Sequence, residues 1–447
     1  MEIEKSYQDS LDYLYSFVDF SLTRSFVFSA ENFDLDRMRL FLEHLGNPER
    51  AYPILHVAGT KGKGSVAAFC ASALQSAGYT VGLYTSPHLE DYTERIQVNH
   101  EQISHGELTA LVDEVRPYLD AGTKLTTFEI TTALAFLHFS RSGVNAAVIE
   151  VGLGGRLDAT NVVDPLVTVI TSISYDHTNI LGNTLAEIAG EKAGIIKPGV
   201  PLVTSPQQEE ARQVIERIAA ERGAPLTQLG RDYTFRRESS SLDAGQTMMI
   251  WDAKEAGRQP VELHIALLGA HQVENAATAY AALQVARRRG LGIPAQAIAD
   301  GFRQTTWPGR FEILQRDPPV VIDSAHNRDS AHKLRQALDE YFPELPVILL
   351  FGASEDKDIA GMFAELLPRA SHLVVTKSIH PRAAAPETLK DLAAQYACPV
   401  TIVEELEDAL DKTVHLAQGR ALVLVTGSIF VAAGCRESWY KRVDRQK

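Results

Sequence analysis

The segment 54-ILHVAGTKGKGSVAAFCASAL-74 sets three glycines and two lysines between an apolar run and a helical pattern. Backbone N–H groups of such a loop cradle phosphates, a lysine neutralises them, and a hydroxyl holds Mg²⁺. Aligned on Gly62-Lys63 against the pattern G-x4-G-K-[ST], Val57 stands at the first glycine and Gly64 at the hydroxyl. The stretch Gly59, Thr60, Lys61, Gly62, Lys63, Gly64 and Ser65 is read as a phosphate site, with Lys63 as its catalytic lysine. A glycine-rich turn with surface lysines is the ordinary alternative. If phosphate binds, the metal-holding hydroxyl must come from elsewhere in the chain.

Three further segments end apolar runs with residues able to do chemistry. In 83-LYTSPHLEDYTERIQVN, Ser86 lies on the edge where open α/β sheets bind ligands, although a Ser-Pro turn accounts for it equally. In 148-VIEVGLGGRLDATNVVDP, Glu150 closes an apolar strand; its carboxylate suits Mg²⁺, a hard cation, or simply faces solvent. In 172-SISYDHTNILG, Asp176-His177 follows another strand, and a lone histidine there reads as structural or functional. Three such sites in one chain with a phosphate loop point to a shared cleft.

These residues need elements to hold them. Short β-branched runs alternate with helical patterns, which predicts parallel sheets with crossover helices. Strands are expected at 53-PILHVA, 80-TVGLYTS, 145-NAAVIEV and 166-LVTVITSI, with helices at about 64–77, 128–142 and 184–195. From roughly 230 to 268, YTFRR, TMMIW and VELHIALL predict a small antiparallel patch. After 307-WPGRFEIL a second series begins, with strands at 319-PVVIDSA, 345-LPVILLFGA, 372-HLVVTKS, 399-PVTIVEE and 420-RALVLVTGS. The Trp-Pro-Gly punctuation places a boundary near 306, dividing the chain into domains 1–306 and 307–447.

Composition narrows the class. A net charge of −14 over 447 residues argues against nucleic-acid or anionic-membrane surfaces. The acidic start MEIEKSYQDS lacks the basic flank and apolar core of a secretory signal. Apolar runs are too short and too interrupted to span a bilayer. Cys70, Cys398 and Cys435 form no CxxC pair, so a disulfide scaffold or cysteine zinc site is not expected. The cytoplasm is the expected compartment.

Taken in order, GTKGKGS, YTSPHL, TFEITTALAF, EVGLGGRLDATN, DHTNILG, GEKAGIIKPG, PGRFE and DSAHN carry a resemblance over nearly the whole chain. The sequence is similar to the folylpolyglutamate synthase/dihydrofolate synthase family of Mur-ligase-like, ATP-dependent amide ligases. That resemblance implies an α/β fold of two domains, an N-terminal P-loop NTPase-like Mur-ligase central domain and a C-terminal Rossmann-like Mur-ligase domain. The family's loop reads Gly-Thr-Asn-Gly-Lys-Gly-Ser, so Gly64 fits and Lys61 departs. The displaced hydroxyl is implied at Ser86, which would hold Mg²⁺ with Glu150. A second Mg²⁺ is implied at His177 with a carbamylated Lys192, His177 and Lys192 joining Lys63 as catalytic groups. On the residues alone, Lys192 reads as an exposed helix lysine paired with Glu187 or Glu191.

The same resemblance assigns Asn275, Arg310, Asp323 and His326 to ATP, and Thr85, Pro87, His88 and Phe128 to folate. Arg310 is expected to reach the nucleotide only when the C-terminal domain closes. Asp34 and Asp36 replace the family's Gly and Glu, and an unusual 24-RSFVFSAENF-33 precedes them. The implied activity is phosphorylation of a folate-type carboxylate by ATP, then attack by the amine of L-glutamate. Dihydropteroate and tetrahydrofolate both fit as acceptors. Small-molecule partners and a monomer are expected, with no nucleic acid or membrane. A UDP-muramoyl peptide ligase is the nearest alternative, but the 58 residues before Gly59 fall short of its separate substrate domain. A P-loop regulatory ATPase is the alternative from another class.

Overall fold

The computed structural model describes residues 2–19, 34–254, 259–378 and 380–445, so the segment 24–33 lies outside the described residues. The chain forms two compact units. The first comprises Met1–Ser239, Gln246–Ala266 and Gln272–Thr305, and the second Ser240–Gly245, Leu267–His271 and Thr306–Lys447.

The first unit is built on β1 (Ile54–Ala58), β2 (Val81–Tyr84), β3 (Ile96–Val98), β4 (Glu101–Gln102), β5 (Ala146–Glu150), β6 (Val167–Ile170), β7 (Leu202–Thr204) and β8 (Leu226–Gln228). They form one sheet in the order β4-β3-β2-β5-β1-β6-β7-β8. From β2 to β8 every pair is parallel. All five residues of β1 and of β5 are buried, as expected of strands covered on both faces.

The β3–β4 edge departs from the predicted parallel rhythm: β2–β3 and β3–β4 are antiparallel. Between β2 and β3 the chain makes only the 3-10 turn Tyr92–Arg95, without the long crossover that parallel pairing needs. Asn99 and His100, at φ 54° and 64°, then close a tight hairpin. The sequence reading also missed β7 and β8. Each is three residues long and follows a proline, too short to show periodicity.

Helices α1 (Glu2–Tyr15), α2 (Leu35–His44), α3 (Lys63–Ser76), α4 (His105–Asp120), α5 (Thr127–Arg141), α6 (Thr178–Leu181) and α7 (Leu185–Ala193) surround the site-bearing part of the sheet. The three predicted there, α3, α5 and α7, lie within two residues of expectation at each end. Capping boxes start α4, α5 and α7: Ser104, Thr126 and Thr184 each accept a backbone N–H while Glu107, Glu129 and Glu187 reach back. The predicted patch between 230 and 268 is the sheet β11-β10-β9, formed by β9 (Tyr233–Ser241), β10 (Gly245–Asp252) and β11 (Val261–Ile265), with β10 and β11 antiparallel.

In the second unit, β12 (Glu312–Arg316), β13 (Pro319–Ile322), β14 (Val347–Phe351), β15 (Ala370–Val375), β16 (Val400–Ile402) and β17 (Leu422–Thr426) take the order β12-β13-β17-β14-β15-β16. Only β12–β13 is antiparallel in this sheet. Alternate residues of β14 enter separate cores. Leu349 and Phe351 pack with Phe363 and Leu424, whereas Ile348 and Leu350 pack with Val320 and Val425. Both faces of the sheet are thus covered.

Phe139 of α5 is fully buried and meets Tyr52 edge-on at 6.2 Å between ring centroids. Phe139→Ala removes this packing and leaves a cavity over β2. The expected loss of stability is about 3–5 kcal/mol, measured as a lower urea midpoint.

Candidate active site

The strand order determines which loops become neighbours. β1 lies between β5 and β6, and β5 lies between β1 and β2. The carboxyl ends of these four parallel strands therefore present 59–65, the end of β5, residues 171–177 and Ser86 along one edge. That is where open α/β sheets bind ligands.

The glycine-rich loop 59–65 is held in shape by backbone and packing. Gly62 has φ 86°, and a Cβ added there would fall 2.2 Å from Asn275 Oδ1. Asn275 thus lies directly against the loop, its amide donating to Gln272 Oε1 at 2.9 Å. The N–H groups of Thr60 and Lys61 donate to Ser172 O at 3.0 and 3.2 Å, tying the loop to the segment after β6. Lys63 opens α3 and places its ammonium 3.8 Å from Glu150 Oε1, close enough for charge attraction but not for a hydrogen bond. The other Glu150 oxygen accepts from Ser86 N at 3.2 Å. Ser86, Glu150 and Lys63 are brought together.

Lys192 is not the exposed helix lysine that its sequence context permits. It is buried, and its ammonium donates to Gly59 O at 2.9 Å. Glu191 pairs instead with Arg156 at 2.8 Å, and Glu187 caps α7. Burial pulls the Lys192 amine down to about 7, and the nearby Lys63 and Lys61 ammonium groups pull the same way against Asp176 and Asp158. Burial thus favours the free amine, the form able to react with CO₂, over the ammonium.

Lys61 turns toward the segment after β6. Its Nζ lies 2.7 Å from Asp176 Oδ2, with both side chains largely buried. The other Asp176 oxygen accepts from His177 N at 3.0 Å. His177 adopts the left-handed conformation, φ 49° and ψ 39°, at the start of α6.

On the other side of Glu150, the loop 152–161 is organised by Asp158, which sequence reasoning did not single out. Its carboxylate accepts from Leu153 N at 2.9 Å and Thr160 N at 3.0 Å, and from the Thr160 hydroxyl. The signal was present as an Asp two residues before a Thr, the pattern of an Asx turn. Phe128, in the first turn of α5, lies against this loop: a Cβ on Gly152 would come within 2.5 Å of its ring. Tyr84 is 6.1 Å from Phe128 between ring centroids and leads into Thr85, Ser86 and Pro87. His88 accepts from Arg95 Nε through Nδ1 at 2.9 Å; burial, aided by Arg95, holds it down to about 3. With Nδ1 accepting from Arg95, the neutral imidazole carries its proton on Nε2.

Arg310, Asp323 and His326 belong to the second unit. Asp323 accepts from Phe311 N and Ala325 N, both at 2.8 Å. Burial raises its carboxyl, with the Arg310 guanidinium opposing. His326 pairs Nδ1 with Ser324 O at 2.9 Å. These contacts shape the turn after β13.

Among the described residues, no three His, Cys, Asp or Glu side chains are grouped to hold a metal ion. The buried Glu150 carboxylate, which accepts the Ser86 backbone N–H on one oxygen, is the oxygen ligand type that suits Mg²⁺ completed by phosphate and water. No helix among the described residues is long and apolar enough to cross a membrane.

Known families share this architecture. Residues 57–283 match the Mur ligase middle domain, and residues 309–429 match the Mur ligase glutamate ligase domain. The dihydrofolate synthase/folylpolyglutamate synthase of Bacillus subtilis (strain 168) is 39% identical over 410 residues, covering 90% of this chain and 94% of that protein. The Mycobacterium tuberculosis folylpolyglutamate synthase complexed with ADP superposes with a TM-score of 0.88 at 31% identity, covering 98% of this chain and 99% of that one. Escherichia coli FolC in complex with DHPP and ADP gives a TM-score of 0.84 at 31% identity, covering 98% of each chain. With its two Mur ligase domains in sequence and relatives matched almost end to end, the chain belongs to the dihydrofolate synthase/folylpolyglutamate synthase family of Mur ligases.

Proposed function

We propose that this chain is an ATP-dependent ligase that joins L-glutamate to a folate-type carboxylate, with dihydropteroate and tetrahydrofolate as candidate acceptors. The observation that carries the reading is a phosphate loop, a buried carboxylate and a buried lysine gathered on one sheet edge, in a chain of this family. The acceptor carboxylate attacks the γ-phosphorus of ATP, and ADP leaves. The neutral amine of glutamate then adds to the acyl carbon, phosphate departs, and the amine proton passes to solvent.

The loop Gly59–Ser65 and the Lys63 ammonium hold the β- and γ-phosphates, where negative charge moves during transfer. Ser86 and Glu150 would hold one Mg²⁺, and His177 with a carbamylated Lys192 a second; when bound, Mg²⁺ neutralises phosphate charge. Carbamylation turns a cation that repels a metal into an anion with two oxygens, and the depressed basicity of Lys192 supports that chemistry. Thr85, Pro87, His88 and Phe128 form the folate side, where His88 offers an Nε2–H donor. Asn275, Arg310, Asp323 and His326 are assigned to the nucleotide; Asn275 against Gly62 supports the first, and motif matches the others.

Purified protein with ATP and labelled glutamate should form labelled product with dihydropteroate or tetrahydrofolate. Phosphate release should require both acceptor and glutamate. Release with neither present points to an ATPase instead. Lys63→Ala should lower turnover by roughly 10³-fold or more, since charge stabilisation in the transition state is lost. A change below tenfold removes Lys63 from this role. Lys192→Ala should abolish ligation, with partial recovery in short-chain carboxylates that supply the missing oxygens. Full activity without such rescue removes the carbamate.

A further inference from the structure

The phosphate loop carries a second lysine, and its side chain is already engaged. Lys61 Nζ and Asp176 Oδ2 are 2.7 Å apart, with side-chain exposures of 14% and 9%. An ion pair so shielded from water is stronger and more fixed in geometry than a surface pair. Asp176 uses its two oxygens toward different elements: one meets the Lys61 ammonium, the other accepts the His177 N–H at 3.0 Å. His177 in turn starts α6, its carbonyl accepting from Ile180 N and Leu181 N at 2.9 Å each. A left-handed backbone at a residue with a side chain persists only where its surroundings impose it. The backbone holds the same two segments together, because Thr60 N and Lys61 N donate to Ser172 O and the Thr60 hydroxyl donates to Ser174 O.

We propose that Lys61 is a positioning residue: its ammonium holds Asp176 and, through Asp176, sets His177 relative to the phosphate loop. The charge at position 61 therefore acts on the geometry of the segment after β6, not as a second phosphate lysine. Lys63 remains the lysine for the phosphates, because its ammonium lies on the Glu150 side of the loop. The inference rests on the reading that His177 serves the ligation. It adds a mechanical link by which the loop after β1 holds a residue that follows the neighbouring strand β6.

The test is a double-mutant cycle with Lys61→Asn, Asp176→Asn and the two combined, in the full chain. Turnover in glutamate ligation, ADP affinity by calorimetry and thermal melting are measured for each, with Lys61→Arg as the conservative variant. Each single change should lower kcat by about tenfold, and the double should be no worse than either single within about twofold, the non-additivity of residues acting as one unit. ADP affinity should stay within about threefold of the unaltered chain, as expected if the lost contact is not to phosphate. Lys61→Arg should recover most of the turnover. A tenfold or greater loss of ADP affinity in Lys61→Asn alone would make Lys61 a phosphate ligand and overturn the proposal. Multiplying losses in the double, or unchanged kcat in both singles, would overturn it as well. If a single variant fails to fold, the double leaves neither charge unpaired, and unaltered kcat in it would be equally fatal. Failure of the unaltered chain to ligate glutamate would instead count against the proposed function.

Discussion

The placement of β1 between β5 and β6, all three parallel, is the constraint on which the site depends. Parallel strands end on one edge, so whatever follows them in sequence shares that edge in space. Residues 59–65, Glu150 and 171–177 are separated by scores of positions along the chain, yet they become neighbours through two rows of backbone hydrogen bonds. β2 beside β5 adds Ser86 in the same way. The rows are secured by apolar side chains on both faces, which makes the register costly to shift: a slip by one residue would turn every buried side chain to the opposite face.

The edge so formed gathers three lysines. Lys61, Lys63 and Lys192 surround a single loop, and each has a different partner: Asp176, Glu150 and the carbonyl of Gly59. The Lys192 amine is held by a neutral acceptor, and its proton affinity falls by burial and by its two like neighbours. Asp176 and Glu150 offset the charge of the other two ammonium groups.

Much of this was legible in the sequence because the signals are local. Alternating β and α patterns marked the strands that bear the site and placed α3, α5 and α7 to within two residues. Glycine-rich loops flagged where backbone approaches something closely, and Gly62 against Asn275 shows the cause. What stayed hidden depends on long-range packing. The edge hairpin β3–β4 reverses direction for want of a crossover, a property of connection length that strand patterns do not encode. The direction of Lys61 was likewise unreadable, since Asp176 lies 115 positions away.

Lys192 shows most clearly how environment outranks residue type. On a helix with glutamates at 187 and 191, local rules pair a lysine with its own turn and leave it in water. Here the glutamates are drawn off, one to cap the helix and one to Arg156, while the lysine passes beneath the phosphate loop. Burying an ammonium there without a carboxylate partner is unfavourable, and proton loss relieves part of that cost. The same burial that makes Lys192 a poor cation makes it a better nucleophile. A side chain that local rules assign to the surface is thus, by tertiary placement alone, buried against the carbonyl of Gly59.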